Sequence, residues 1–270
     1  MDTKIIKKIT LDYIKQAKSS NTKITMLTGY NYPMAKYIDE SGIDIILVGD
    51  SLGMVELGYE STLPVTMDEM IHHAKAVKRA VKRAFIIGDM PFMSYQVSKE
   101  EAIKNAGRFI KEGGCDGIKL EGGEEVLDLI FTLNSFGIPV MAHIGLTPQK
   151  VLTLGGYKVQ GREHDAAIRL KKEATKLAEA GAFAIVLECL PAGLAGEITE
   201  NISIPTIGIG AGRRCDGQVL VTYDMLGLFD RFRPKFVKQY CNLSAQMKES
   251  LELFIKEVKN GEFPDDERSF

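Results

Sequence analysis

Short apolar runs rich in Ile, Val and Leu recur along this chain, and they restrict its fold more than any other feature. Seven stand out: ITMLTG (24–29), IDIILVGD (43–50), FIIGDMP (85–91), GIKLEGG (117–123), PVMAHIG (139–145), AIVLEC (184–189) and PTIGIGAG (205–212). Each is too short for a core helix and apolar on both faces, as expected of strands buried on both sides in a parallel sheet. An eighth strand is expected in QVLVTYDMLG (218–227).

The stretches between them have helix chemistry. Met67 to Val81, Lys99 to Gly113, Glu124 to Phe136 and Asp165 to Ala180 lack proline and carry apolar residues at helical spacing. Thr66 with Glu69, and Ser98 with Glu101, match the capping box, in which hydroxyl and carboxylate satisfy free N–H groups reciprocally. Lys78, Arg79 and Lys82 suit the negative end of the first helix dipole, and Gly114, Gly137 and Gly181 stand where left-handed caps end helices. Strand and helix alternate, so the chain is read as α/β: a (β/α)8 TIM barrel with right-handed crossovers, residues 1–270 forming a single domain. A doubly wound open sheet is the runner-up. A long amphipathic helix is expected from Pro234 to Asn260, with Phe236, Tyr240, Leu243, Met247, Leu251, Phe254 and Val258 on the face that meets the barrel wall or a neighbouring subunit.

A net charge of -2 with intermixed signs leaves no basic face for nucleic acid. No apolar run is long enough to cross a membrane, and MDTKIIKKITLDYIKQ lacks the core of a secretory leader, so a cytoplasmic protein is expected. Cys115, Cys189, Cys215 and Cys241 lie far apart, which favours reduced thiols over zinc, redox or disulfide sites.

In such barrels the active site forms at the carboxyl ends of the strands. Asp50, Asp89, Lys119 with Glu121, His143 and Glu188 end the second to sixth runs. Any one carboxylate there could simply cap the next helix. Several around one mouth would repel one another, and a bound cation is the simplest remedy. Carboxylates with one His and no Cys favour a hard ion such as Mg²⁺. Lys119 shares a strand face with Glu121 and could meet a substrate carboxylate or neutralise Glu121. His72, His73 and His164 fall in predicted helices and are read as solvated or packing residues. The GIGAG stretch (208–212) lacks the third glycine and following helix of a dinucleotide fingerprint and is read as a turn lining the mouth. GGYKVQGR (155–162) could be a lid, an anion clamp or a plain surface loop. No nicotinamide, flavin or pyridoxal signature is found.

The blocks LVGDSLGM (47–54), STLPVTM (61–67), GDMPFMSY (88–95), IKLEGG (118–123), HIGLTPQ (143–149), GGYKVQGR (155–162), VLECLP (186–191) and IPTIGIGAG (204–212) closely resemble the 3-methyl-2-oxobutanoate (ketopantoate) hydroxymethyltransferase family of pantothenate biosynthesis. The resemblance implies hydroxymethyl transfer from 5,10-methylenetetrahydrofolate to 3-methyl-2-oxobutanoate, giving 2-dehydropantoate. It implies Mg²⁺ held by Asp50 and Asp89 with Glu121 beside it, and Ser51, Lys119 and His143 facing the oxo acid together with those aspartates. Glu188 would accept the proton, and the assembly would be a homo-oligomer, commonly a decamer. Where relatives read TAYDY this chain has TGYNY (28–32), so no acid role passes to Asn31.

That chemistry is physically coherent. A 2-oxo acid can chelate Mg²⁺ through its carboxylate and keto oxygens, and the ion stabilises the enolate that attacks the one-carbon unit. One rival is an oxo-acid enzyme resembling phosphoenolpyruvate mutase or isocitrate lyase, but such lyases carry a cysteine loop not found here. Another is a non-catalytic metabolite-binding barrel, against which the set Asp50, Asp89, Lys119, Glu121 and Glu188 argues.

Overall fold

The computed structural model describes residues 7–270. The start of the chain, on which the expectation of no secretory leader partly rests, lies outside them. Eight strands are formed: β1 (Ile24–Thr28), β2 (Ile45–Val48), β3 (Phe85–Asp89), β4 (Gly117–Glu121), β5 (Val140–Gly145), β6 (Ala184–Glu188), β7 (Thr206–Ile209) and β8 (Gly217–Leu220). They pair in parallel in sequence order, and β8 returns to β1 from Ile24↔Gly217 to Leu27↔Leu220, closing the barrel. The expected (β/α)8 architecture is therefore present and the open sheet is not. Around it run α1 (Leu11–Ala17), α2 (Tyr32–Glu40), α3 (Leu52–Val55), α4 (Met67–Ala80), α5 (Lys99–Lys111), α6 (Leu127–Ser135), α7 (Val151–Leu154), α8 (His164–Glu179) and α9 (Ala192–Asn201).

Local signals did what their chemistry requires. Thr66 and Glu69 form both halves of a capping box, and the Ser98 hydroxyl accepts the Glu101 N–H. Gly114, Gly137 and Gly181 adopt φ of +69°, +80° and +99°, a region costly for any residue with a Cβ. The stretch from Glu124 opens as a 3-10 turn over Glu124–Val126 before α6 begins.

The chain forms two compact units, one ending at Leu220 and one spanning Val221–Phe270. Two expectations need correction here. The eighth strand ends at Leu220 rather than running to residue 227, because its pairing with β1 is complete there and Thr222–Leu226 turns into α10, closed by left-handed Gly227. The C-terminal helix, α11 (Leu243–Asn260), begins at Leu243 rather than Pro234, because Asn242 caps it by accepting the Ala245 N–H, leaving Phe236 and Tyr240 outside. Among the described residues, no helix is long and apolar enough to cross a membrane.

Successive strand residues point to opposite sides, so every second residue faces the barrel interior. Ile24 and Met26, Ile45 and Leu47, Phe85 and Ile87, Met141, Ala184 and Val186, Ile207 and Val219 make up that buried interior. Ile9, Ile14 and Ala17, from α1 and the residue leading into it, belong to the same apolar cluster at the amino ends of the strands. There Asp44, Asp116 and Asp216 accept the N–H groups of Thr25, Ile86 and Thr206 at 3.0, 2.8 and 2.9 Å, satisfying donors at the starts of neighbouring strands. The carboxyl ends are left for chemistry.

Gly88 in β3 lies under α5, where a Cβ would come within 2.2 Å of Phe109 Cδ1, and Phe109 is fully buried. Gly88→Ala is expected to cost about 1–3 kcal/mol by overpacking, measured by urea unfolding, and a loss within error would show that α5 can shift freely. Within the second unit, burial raises the Asp224 carboxyl to about 6. A folded-state pKa above the unfolded value means that Asp224 disfavours folding progressively as pH rises from about 4 to 6 and fully above it. Asp224→Asn should therefore melt higher than the parent at pH 7 but not at pH 4; an equal advantage at both would exclude titration as the cause.

Candidate active site

The inward files that begin as apolar core end in ionisable groups. Phe85 and Ile87 are followed by Asp89, Gly117 by Lys119 and Glu121, Met141 by His143, and Ala184 and Val186 by Glu188. Strand register then sets the neighbours: Asp89 lies beside Lys119, and Glu121 beside His143. Asp50 stands two residues past the end of β2, and its N–H donates to Asp89 Oδ2 at 3.2 Å.

Lys119 Nζ donates to Asp89 Oδ1 at 2.6 Å, with both side chains almost wholly buried. Burial acts against the ammonium, but Asp89, Glu121 and Asp50 outweigh it and hold Lys119 more firmly protonated than a free lysine. For Asp50, burial and the adjacent charges of Asp89 and Glu121 push the carboxyl well above its ordinary range. Burial also raises Asp89, against the pull of Lys119. Glu121 goes the other way: burial is overcome by His143, Lys119 and the Gln149 N–H. Four carboxylates (Asp50, Asp89, Glu121, Glu188) thus share one mouth with two cationic side chains (Lys119, His143).

His143 stands between two acids, with Nδ1 3.5 Å from Glu121 Oε1 and Nε2 3.2 Å from Glu188 Oε2. Neither contact meets strict hydrogen-bond geometry. Burial and Lys119 disfavour the imidazolium, yet the flanking acids raise it to about 9. The Glu188 side chain is 15% exposed, against 5% or less for Asp89, Lys119, Glu121 and His143. It is the carboxylate of this group best placed to meet an incoming molecule.

All the expected site residues are brought to this mouth or its edge. Ser51 stands at the start of α3, its Oγ 2.9 Å from the Tyr30 hydroxyl. Asn31 instead caps α2, accepting the Met34 N–H, and donates to Glu56 Oε1 at 2.7 Å. The GGYKVQGR loop reaches the mouth: Tyr157 OH lies 4.0 Å from Met54 Sδ, and the Gln160 N–H donates to the Cys189 carbonyl at 2.9 Å. Burial, followed by the charges of Glu188, Asp50 and Glu121, raises the Tyr157 phenol. GIGAG leaves β7 through left-handed Gly210 and Gly212, as a strand-to-loop turn requires. His73 Nδ1 packs 2.6 Å from the Tyr30 carbonyl oxygen, and His72 is exposed. Cys189 follows Glu188, but burial and that carboxylate push its thiol up to about 12, so it is no thiolate nucleophile at neutral pH.

Strand-end logic missed Gln149 and Tyr95. Both are buried, and both hydrogen-bond within the cluster from connections rather than strands. Their only sequence signal was membership of the HIGLTPQ and GDMPFMSY blocks. Among the described residues, no group of three or more His, Cys, Asp or Glu forms a ready-made metal cage.

The fold is a (β/α)8 barrel with a cluster of ionisable side chains at the carboxyl ends of its strands, the end at which enzymes of this architecture carry their active sites. The family model for ketopantoate hydroxymethyltransferase matches residues 8–266. A 3-methyl-2-oxobutanoate hydroxymethyltransferase of Carboxydothermus hydrogenoformans is 56% identical, covering 97% of this chain and 95% of that protein. One of Thermoanaerobacter sp. is 58% identical, covering 95% and 94%. The chain belongs to the ketopantoate hydroxymethyltransferase family and is a transferase. Among solved structures, the fold is shared with a phosphoenolpyruvate phosphomutase of Streptomyces platensis subsp. rosaceus (TM-score 0.62, 13% identity, 93% of this chain and 88% of that one). It is also shared with a 2,3-dimethylmalate lyase of the PEP mutase/isocitrate lyase superfamily (TM-score 0.61, 14% identity, 96% and 91%).

Lys119→Met should expose the cost of the cluster, because it leaves Asp89 buried without its cation. A loss of about 3–5 kcal/mol is expected in chemical unfolding, reduced when Asp89→Asn is added. A loss below about 1 kcal/mol would show that Asp89 does not depend on the pair.

Proposed function

We propose that this chain transfers a hydroxymethyl group from 5,10-methylenetetrahydrofolate to 3-methyl-2-oxobutanoate, giving 2-dehydropantoate, with Glu188 as the proton acceptor. Family membership supports the reaction. The observation that carries the role of Glu188 is its position as the partly exposed carboxylate at the rim of an otherwise buried cluster.

The donor set fits Mg²⁺. Asp50 and Asp89 offer adjacent hard oxygens, the Asp50 N–H meeting Asp89 Oδ2 at 3.2 Å. Mg²⁺ characteristically takes one or two protein carboxylates and fills its remaining positions with water and substrate, so a complete protein cage is not needed. Asp50 and Asp89 would hold it with Glu121 beside them, and when bound it would supply a sink for negative charge developing on the keto oxygen. Lys119, held charged, faces the carboxylate of the oxo acid, and Ser51 and His143 flank it. Glu188 takes the proton from C3 onto a carboxylate oxygen. His143, fixed between Glu121 and Glu188, orients that carboxylate. Water opens the methylene bridge, its carbon–nitrogen bonds breaking to leave tetrahydrofolate and the one-carbon unit as formaldehyde; C3 bonds to that carbon, and its oxygen takes back the proton held on Glu188 to become the hydroxyl. Tyr157 and its loop stand beside the mouth. The same reading makes the protein a cytoplasmic homo-oligomer, a decamer by family resemblance, acting on small molecules.

Glu188→Gln tests it through exchange of the C3 hydrogen of 3-methyl-2-oxobutanoate in deuterated water, which isolates proton removal from the folate step. Exchange should fall by roughly 10²–10⁴ while oxo-acid binding persists. Exchange at the parental rate would remove Glu188 from the role.

A further inference from the structure

Gln149 lies in the 3-10 turn Pro148–Lys150 that follows β5, far in sequence from the acids it touches. It is 4% exposed. Its Nε2 donates to Asp50 Oδ2 at 3.0 Å and to the Met90 carbonyl at 2.9 Å, which occupies both amide hydrogens. Its Oε1 lies 2.9 Å from the Tyr95 hydroxyl and 3.3 Å from Gln96 Nε2. Its backbone N–H donates to Glu121 Oε2 at 3.1 Å. The amide can be placed only one way round. Rotated by half a turn, its oxygen would face the Asp50 carboxylate and the Met90 carbonyl, two acceptors, and its nitrogen would face the Gln96 donor.

One residue therefore ties together the ends of three strands: Asp50 beyond β2, Met90 beyond β3 and Glu121 of β4. Carboxylates that repel one another do not hold a common geometry unaided, and losing a hydrogen bond that orients a metal-holding carboxylate typically costs about 10–100-fold in metal affinity. Lys119 supplies charge to this cluster, whereas Gln149 supplies direction without charge. Tyr95 extends the support: it accepts the Glu121 N–H at 3.2 Å through the hydroxyl that also meets Gln149.

We infer that Gln149 is a positioning residue for this reaction, fixing the carboxylates of Asp50 and Glu121 relative to each other in the arrangement that receives a divalent cation. The inference rests on the reading that Asp50 holds that cation. Mg²⁺ binding, followed by calorimetry on the purified full-length protein without turnover, tests it. Gln149→Met keeps the length and volume of the side chain but can neither donate to Asp50 nor accept from Tyr95, and it should weaken Mg²⁺ binding about 10–100-fold. A Gln149→Met protein that is folded and binds Mg²⁺ with parental affinity would overturn the inference. Should that variant fail to fold, Gln149→Asn decides, since it draws the amide back from Asp50 while leaving the contacts between Tyr95 and Glu121 in place. A several-fold weaker affinity supports the role, and an unchanged one refutes it. Asp50→Asn separates the two levels. If it binds Mg²⁺ as the parent does, the metal reading of Asp50 fails; if it is impaired while Gln149→Met is not, only the role of Gln149 fails.

Discussion

The contact between Lys119 and Asp89 inside the barrel mouth is the interaction on which the rest of the site depends. Adjacent strands in register place the two residues side by side, and a 2.6 Å charged hydrogen bond joins them. Without a buried cation, the carboxylates of Asp50, Asp89 and Glu121 could not share so small a volume away from water. With one, the cluster is held together, although burial and the charges of Asp89 and Glu121 still push the Asp50 carboxyl upward.

The two ends of the barrel use the same residue types for opposite purposes. Asp44, Asp116 and Asp216 at the amino ends accept strand N–H groups and are consumed by the fold. Asp50, Asp89, Glu121 and Glu188 at the carboxyl ends face one another and the mouth. Between them lies an apolar plug of Ile, Val, Met and Phe side chains, which makes the barrel a packed core and keeps water from reaching the charged layer from below. The likeness to phosphomutase and lyase structures at 13–14% identity shows how far this scaffold can be kept while its surface changes. Kinship at 56–58% identity is what narrows the chemistry.

Much of this was legible in the chain. The alternation of short apolar runs with capped helical stretches specified the barrel, because strands buried on both faces and joined by helices have few other ways to bury themselves. The i, i+2 spacing of Lys119 and Glu121 placed both on one face, and polar residues ending apolar runs marked the mouth. The misjudged elements share a cause. The stretch 218–227 and the helix after Pro234 have the right local pattern, but the end of a ladder and the start of a helix are settled by a partner strand and by a cap, Leu27 pairing with Leu220 and Asn242 accepting from Ala245.

Sequence by itself determined the fold class, the identity of the charged residues and the end of the barrel they occupy, since periodicity and strand direction are local properties. Tertiary structure alone decided which acid became which kind of group. Asp44 and Asp50 flank the same strand, and chain direction tells only which end each occupies; their partners come from the fold, one accepting the backbone N–H of Thr25 and the other facing Asp89 and Gln149. Gln149 had no strand end or charge to mark it, and it acquired a role only when closure of the barrel brought its turn within reach of three strands. Burial, pairing distance and the sign of nearby charge are set by residues remote in sequence, and those quantities, rather than residue type, fix what a side chain can do.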